Sequence, residues 1–102
     1  MIEYEAGREN SLKIYIIGEI DHHSSATLRK EIDRIILSYS PKTVVLNFKK
    51  VTFCDSSGIA VVLGRYKLMN KLGGQLFLEN LPRQVDSIFK LSGLNKLVTI
   101  KE

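Results

Sequence analysis

The stretch Lys42-Thr43-Val44-Val45-Leu46-Asn47-Phe48, continued by Lys49-Lys50-Val51-Thr52-Phe53-Cys54, Asp55-Ser56-Ser57-Gly58 and the run Ile59 to Gly73, decides the fold. Thr43 to Phe48 is β-branched and apolar, as a strand buried on both faces would be. From Ile59 the period changes: Ile59, Val62, Leu63 and Tyr66 recur at helical spacing, and Leu68, Met69 and Leu72 widen the apolar stripe. Gly73-Gly74 stops the helix, because glycine takes the left-handed end conformation without steric cost. Between strand and helix lies the polar tetrad Asp55-Ser56-Ser57-Gly58. A strand-to-helix turn of this kind sits at the carboxyl edge of a sheet, where open α/β folds place their sites.

The flanking segments extend the same alternation. Ile2 to Glu5 reads as a strand and Gly7 to Ser11 as a turn. Leu12 to Ile17 reads as a second strand, hairpin-paired with the first and ended by Gly18-Glu19-Ile20-Asp21. His22 to Tyr39 is expected to be a helix, with Asp21, Ser24 and Ser25 as able caps. Its buried stripe is Leu28, Ile32, Ile35, Ile36 and Tyr39, with Arg29, Lys30, Glu31, Asp33 and Arg34 facing water. Ser40-Pro41 ends it. Gln75 to Glu79 is a further strand. Asn80-Leu81-Pro82 opens a last helix that packs Val85, Ile88, Phe89 and Leu91 inward, Gly93 closes it, and Leu97 to Ile100 is a final strand. The expected class is α/β: an N-terminal hairpin, then alternating helix and strand, in a mixed, mostly parallel sheet. Strand order and the faces the helices cover stay open.

A chain of 102 residues is one domain with one core, taken as residues 1–102. A single cysteine excludes an internal disulfide and fits a reducing compartment. No apolar run is long enough to span a bilayer and no basic-then-apolar leader is present, so a cytoplasmic protein without membrane contact is expected. The formal charge of +4 comes from lysines and arginines scattered among eleven acids, and the aromatic residues sit in apolar runs, so a solvated surface is expected and not a nucleic-acid platform. His22-His23 has no cysteine or carboxylate set at ligand spacing, so neither metal nor other cofactor is expected.

The tetrad admits three chemistries. Its side chains can simply cap the helix, although one polar residue suffices for that. A serine there can be a nucleophile, as in a small serine hydrolase, but the Gly-x-Ser-x-Gly elbow is missing and the only candidate bases, His22 and His23, begin another helix. Or Ser56 can be a modification site. A phosphate at a helix start meets free amides and the positive dipole end, so the fold tolerates it, while about two negative charges beside Asp55 change what the surface can dock.

Phe53-Cys54-Asp55-Ser56-Ser57-Gly58-Ile59, Leu63-Gly64-Arg65-Tyr66-Lys67, Gly18-Glu19-Ile20-Asp21-His22-His23 and Leu91-Ser92-Gly93-Leu94, in this order and spacing, resemble the anti-anti-sigma factors, above all the anti-sigma F factor antagonists of sporulating bacteria. The resemblance implies a STAS domain, a binding regulator and not an enzyme. Unmodified, such a protein binds a nucleotide-bound anti-sigma factor that is also a serine kinase, which frees the sporulation sigma factor F. Phosphorylation of the first tetrad serine, here Ser56, ends the binding, and a metal-dependent serine phosphatase restores it. STAS domains also serve stress-response and lipid-transport pathways. The family carries a longer C-terminal tail and a bulkier residue in place of Cys54, so a tail-borne surface is expected to be absent and Cys54 to concern packing.

The residues expected to meet the partner are Asp21, Asp55, Ser56, Ser57, Gly58 and Arg65. Asp55 is expected to bond amides beyond it and orient Ser56, and Ser57 to be the hydroxyl that caps or bonds within the turn. Gly58 is expected to leave room for a close-approaching partner or to serve the turn. Asp21 is either a cap or a partner contact near Ser56, and Arg65 either a contact or a solvated side chain. Gly64 with Ala60 suggests tight packing on the sheet. Cys54 reads as a buried apolar group.

Overall fold

A computed structural model describes residues 1–101; Glu102, the end of the expected domain, lies outside the described residues. The elements are β1 (Ile2–Ala6), β2 (Ser11–Ile20), α1 (Ser25–Tyr39), β3 (Thr43–Cys54), α2 (Ser57–Lys71), β4 (Gln75–Glu79), α3 (Arg83–Ser92), a 3-10 turn (Leu94–Lys96) and β5 (Thr99–Lys101). One sheet holds the strands in the order β1-β2-β3-β4-β5. β1 is antiparallel to β2, and every other pair is parallel. This is the mixed, mostly parallel α/β architecture that the alternation implies.

Parity along the strands assigns the layers. Leu12, Ile14 and Ile16 of β2, Val44, Leu46 and Phe48 of β3, and Leu76 and Leu78 of β4 alternate with residues that point the other way. They form one buried cluster with Leu28, Ile32 and Ile36 of α1, Val61, Val62 and Met69 of α2, and Val85 and Phe89 of α3. All three helices therefore cover the same face. Phe48 and Phe89 meet edge-on in the middle, with centroids 5.7 Å apart. The opposite face is polar: Lys13 pairs with Glu79 at 3.0 Å, the Tyr15 hydroxyl donates to Glu5 at 2.9 Å, and the Lys101 ammonium stands 4.9 Å over the Phe77 ring.

Several boundaries and faces differ from the sequence reading. β2 and β3 run on to Ile20 and Cys54, because they pair along their whole length, with β3 carrying an extra residue against β2 at two irregularities. α1 starts at Ser25 and not at His22, since Asp21 binds the amides of His23 and Ser24 in a turn of its own. Tyr39, at the last turn of α1, is 47% exposed and stacks edge-on with Tyr4, and Leu91 is 90% exposed. Tyr39 lies one turn beyond the last buried residue of its stripe, Ile36, whereas Leu91, two residues after the buried Phe89, points about 200° away from the covered face. β5 starts at Thr99, two residues later than expected, because the Leu94–Lys96 turn occupies the approach.

The largest correction concerns α2. Its buried residues are Gly58, Val61, Val62, Arg65 and Met69, while Ile59, Leu63 and Tyr66 are only half-buried and Leu72 is exposed. The true stripe is rotated by one residue, about 100°. The helix is apolar nearly all round, so its period does not fix its phase, and Arg65 marks the inside instead of the outside. Ala60 is exposed and a Cβ on Gly64 would meet nothing within 4 Å, so this pair does not pack against the sheet.

Candidate functional site

β2 and β3 are parallel neighbours that end side by side, and each is followed directly by an aspartate. The Asp55 amide donates to the Ile20 carbonyl at 3.1 Å, which stitches the Asp21 loop to the tetrad at the carboxyl edge. Both loops are built alike. Asp21 Oδ1 accepts from the His23 amide two residues on and from the Ser24 amide, each at 2.9 Å. Asp55 Oδ1 accepts from the Ser57 amide, also two residues on, at 2.8 Å. An aspartate satisfying an amide two residues ahead is the Asx turn, and it explains why this residue type follows each strand.

In the Asp21 loop the bonds are reciprocal. Ser24 Oγ accepts from the Asp21 amide at 3.0 Å and donates to the Glu19 carbonyl at 2.9 Å. The amide bond from Ser24 holds the Asp21 carboxyl below the ordinary carboxylate value. Sequence reading singled out Ser24 only as one of three possible caps. The Asp-x-x-Ser spacing was the available signal for its reciprocal bond.

In the tetrad, Asp55 does the capping. Ser56 already has helical angles (φ −63°, ψ −15°), and its side chain makes no cap hydrogen bond. The amides of Gly58 and Ile59 are bonded to the carbonyls of Asp55 and Ser56. The expected cap role of Ser57 falls to Asp55, because the Ser57 amide is the group received. The Ser56 hydroxyl is thus exposed, held at a helix N-terminus and uncommitted to the turn.

Beneath it the floor is solid. Gly58 is buried; a Cβ there would overlap Cys54 Sγ and lie 3.6 Å from the Phe89 ring. The space Gly58 leaves is therefore filled from inside by the protein itself, which corrects the expectation of room for a partner. The Cys54 thiol is fully buried, and burial, with the Asp55 charge, pushes it up to about 11, so it stays protonated at neutral pH. His22 and His23 are exposed beside this edge with ring centroids 5.8 Å apart. No group of three or more metal-ligating side chains occurs among the described residues.

Arg65 is not the solvated side chain that the sequence allowed. It is 7% exposed, and its Nε lies 2.8 Å from Asp33 Oδ1, so Asp33 is not simply a water-facing residue either. The pair is ionic without the alignment of a hydrogen bond: Arg65 Nε, Arg65 Nη1 and Asp33 Oδ1 each lack a hydrogen-bond partner. Burial pulls the guanidinium down from its ordinary value, against the opposing pull of Asp33. A cavity of about 550 Å³, lined by Asn80, Leu81, Asp86, Lys90, Asn95 and others, includes no residue of the two loops. A smaller cavity, of about 260 Å³, is lined in part by Glu19 and Ser24 of the Asp21 loop.

Known proteins share this fold. The STAS domain profile matches residues 5–102. The chain is 38% identical over 89 residues to the anti-sigma F factor antagonist of Paenibacillus polymyxa, covering 87% of this chain and 76% of that protein. It is 34% identical over 92 residues to the anti-sigma-B factor antagonist of Bacillus subtilis strain 168, covering 90% and 83%. The fold is similar to that of the anti-sigma factor antagonist SpoIIAA in its unphosphorylated form, with a TM-score of 0.82 at 29% identity over 100% of this chain and 89% of that one. SpoIIAA of Bacillus in its phosphorylated form gives 0.74 at 28% identity, over 100% and 92%. No helix among the described residues is long and apolar enough to cross a membrane. From its sheet, its two aspartate-ended loops and these relatives, the chain belongs to the STAS-domain family of anti-sigma factor antagonists.

Proposed function

We propose that the chain is a phosphorylation-controlled binding module whose switch is Ser56. Unmodified, it binds a nucleotide-bound anti-sigma factor that is also a serine kinase, which frees the sporulation sigma factor F. The kinase transfers the γ-phosphoryl group of ATP to Ser56 Oγ, ADP leaves, and the modified protein lets go. A serine phosphatase returns it to the binding form. The docking surface is the edge carrying Asp21, Asp55, Ser56 and Ser57.

The observation that carries this reading is the free Ser56 hydroxyl. Its neighbour Asp55 does the capping, so a phosphoryl group on Ser56 displaces no bond of the turn. The phosphate would lie near the first-turn amides and the positive end of α2, which stabilises it locally. It would also add about two negative charges to an edge that already carries Glu19, Asp21 and Asp55. The fold survives and the docking surface becomes markedly more negative. The similarity to a protein known in phosphorylated and unphosphorylated forms supports the same reading.

The test is an intact-mass spectrum with peptide mapping after incubation with the candidate kinase and Mg-ATP. One phosphoryl group on Ser56, absent in Ser56→Ala, is expected, together with a folded Ser56→Asp that binds poorly. A Ser56→Asp protein that binds as tightly as the unmodified one would refute a charge-based switch. The 34% identity to an anti-sigma-B factor antagonist favours one second reading, the same switch in a stress-response circuit. Affinity capture with each class of anti-sigma factor separates the two.

A further inference from the structure

α1 leaves the Asp21 loop and α2 leaves the tetrad, so anything that fixes the two helices to one another also fixes the two loops. The buried ion pair joins them at matched height. Asp33 lies nine residues beyond Ser24, the residue before α1, and Arg65 lies nine residues beyond Ser56, the residue before α2. At 1.5 Å per residue, both ends of the pair stand about 13.5 Å from their loops. Equal arms turn the pair into a register pin: an axial slip of α2 along α1 moves Ser56 relative to Asp21 by the same amount.

The pair is an expensive way to hold two helices together. Arg65 is buried with Nε and Nη1 both lacking hydrogen-bond partners, while Leu28, Ile32, Val61 and Val62 already supply apolar packing nearby in sequence. A well-packed apolar contact at such a place is often as stable as an ion pair or more so, but it can slide along the seam, whereas one pair of opposite charges is at its lowest energy in a single register.

We infer that Arg65 is a positioning residue for the proposed switch: its buried pair with Asp33 sets the register of α2 against α1 and so holds the Ser56 loop in line with the Asp21 loop. This rests on the proposed function for its purpose and on the helix geometry for its action. Arg65 touches no partner; it acts through the two loops.

The experiment compares wild type with Asp33→Leu/Arg65→Met, in which the ion pair becomes an apolar contact, and with Arg65→Lys, in which charge is kept but the planar guanidinium is lost. Asp33 is 34% exposed, so its replacement is tolerated, and Arg65→Lys guards against a double variant that fails to fold. Three quantities are read: the melting temperature, amide hydrogen exchange at His23, Ser24 and Ser57 against that of the β3 core, and affinity for the candidate anti-sigma factor. The double variant is expected to melt at or above the wild-type temperature while exchange at the three loop amides rises on the order of tenfold and affinity falls by a similar factor. Arg65→Lys is expected to show a smaller rise in loop exchange with an unchanged core. Wild-type loop exchange in a folded double variant, or in Arg65→Lys, would overturn the inference. If the wild-type protein binds no anti-sigma factor, the functional reading fails, and the exchange data still decide the register role.

Discussion

Gly58→Ala probes the floor of the switch. The new methyl would overlap Cys54 Sγ and sit 3.6 Å from the Phe89 ring. Neither neighbour can yield cheaply: Cys54 and Phe89 are both fully buried, and Phe89 is edge-on against Phe48 at 5.7 Å. Over-packing of this kind costs about 1–3 kcal/mol. Alanine returns up to about 1 kcal/mol, because glycine is the more costly residue within a helix. No left-handed angle is lost, since Gly58 is not among the glycines with positive φ. The overlap is close enough that Cys54 Sγ must move, so the upper part of that range, about 2–3 kcal/mol, applies; the net is about 1–2 kcal/mol of destabilisation, and at about 4–8 °C per kcal/mol in a domain this size the melting temperature should fall by roughly 5–15 °C. Calorimetry of Gly58→Ala, Cys54→Ala and the double variant measures it. Removing the sulfur should rescue the alanine, so the double variant is expected to be more stable than the sum of the single costs by about 1 kcal/mol. Strictly additive costs, or a Gly58→Ala protein as stable as wild type, would refute the packing argument.

Asp55→Ala should lose the bond to the Ser57 amide and about 1 kcal/mol of stability, with Asp55→Asn retaining most of it; urea titration of the two variants distinguishes the cap from a purely electrostatic effect. Asp21 has its carboxyl held low by the Ser24 and His23 amides, so its contribution is complete above the ordinary aspartate value near 3.9 and is lost as pH falls below it; the protection of the His23 and Ser24 amides, measured against their intrinsic exchange rates, should fall from about pH 4 downward, and Asp21→Asn should flatten that response. Cys54, pushed up to about 11 by burial and Asp55, should resist iodoacetamide at pH 8 in the native protein and react readily in urea.

What could be read from residues alone depended on whether one feature or several set the outcome. The change from β-branched Thr43–Phe48 to helical spacing, with a capping residue between, located the tetrad, α2 and the first half of β3, while the run of β3 on to Cys54 came from its pairing with β2. The same logic placed Asp21, Asp55 and Ser56 at strand ends, and the strand order then made the two loops neighbours. The phase of α2 was not legible, because a helix apolar on nearly every side has no unique inward face, and its one arginine pointed to the wrong side until its acidic partner was known. Asp33 was taken as solvated for the same reason: a buried ion pair is a property of two helices and is invisible to either. Gly58 looked like a gap because nothing in the sequence says that Cys54 and Phe89 fill the space below it. Strand order and the helix-covered face came from register and burial across elements distant in sequence, which a pattern along one element cannot encode.

The strand order has a kinetic consequence. Every strand pairs with its immediate predecessor in the chain, so no ladder must wait for a segment made much later. The parallel partners are still 22 to 34 residues apart, as in Phe77 with Thr99 and Ile20 with Cys54, but no crossover skips a strand, and folding speeds up as the sequence separation of contacts shrinks. The sheet can grow in the direction of synthesis, each crossover helix laying down cover for the strands just formed. By the time the three residues of β5 are made, both aspartate-ended loops are already in place. The surface that carries Asp21, Asp55 and Ser56 is therefore complete before the strand at the far edge of the sheet has paired.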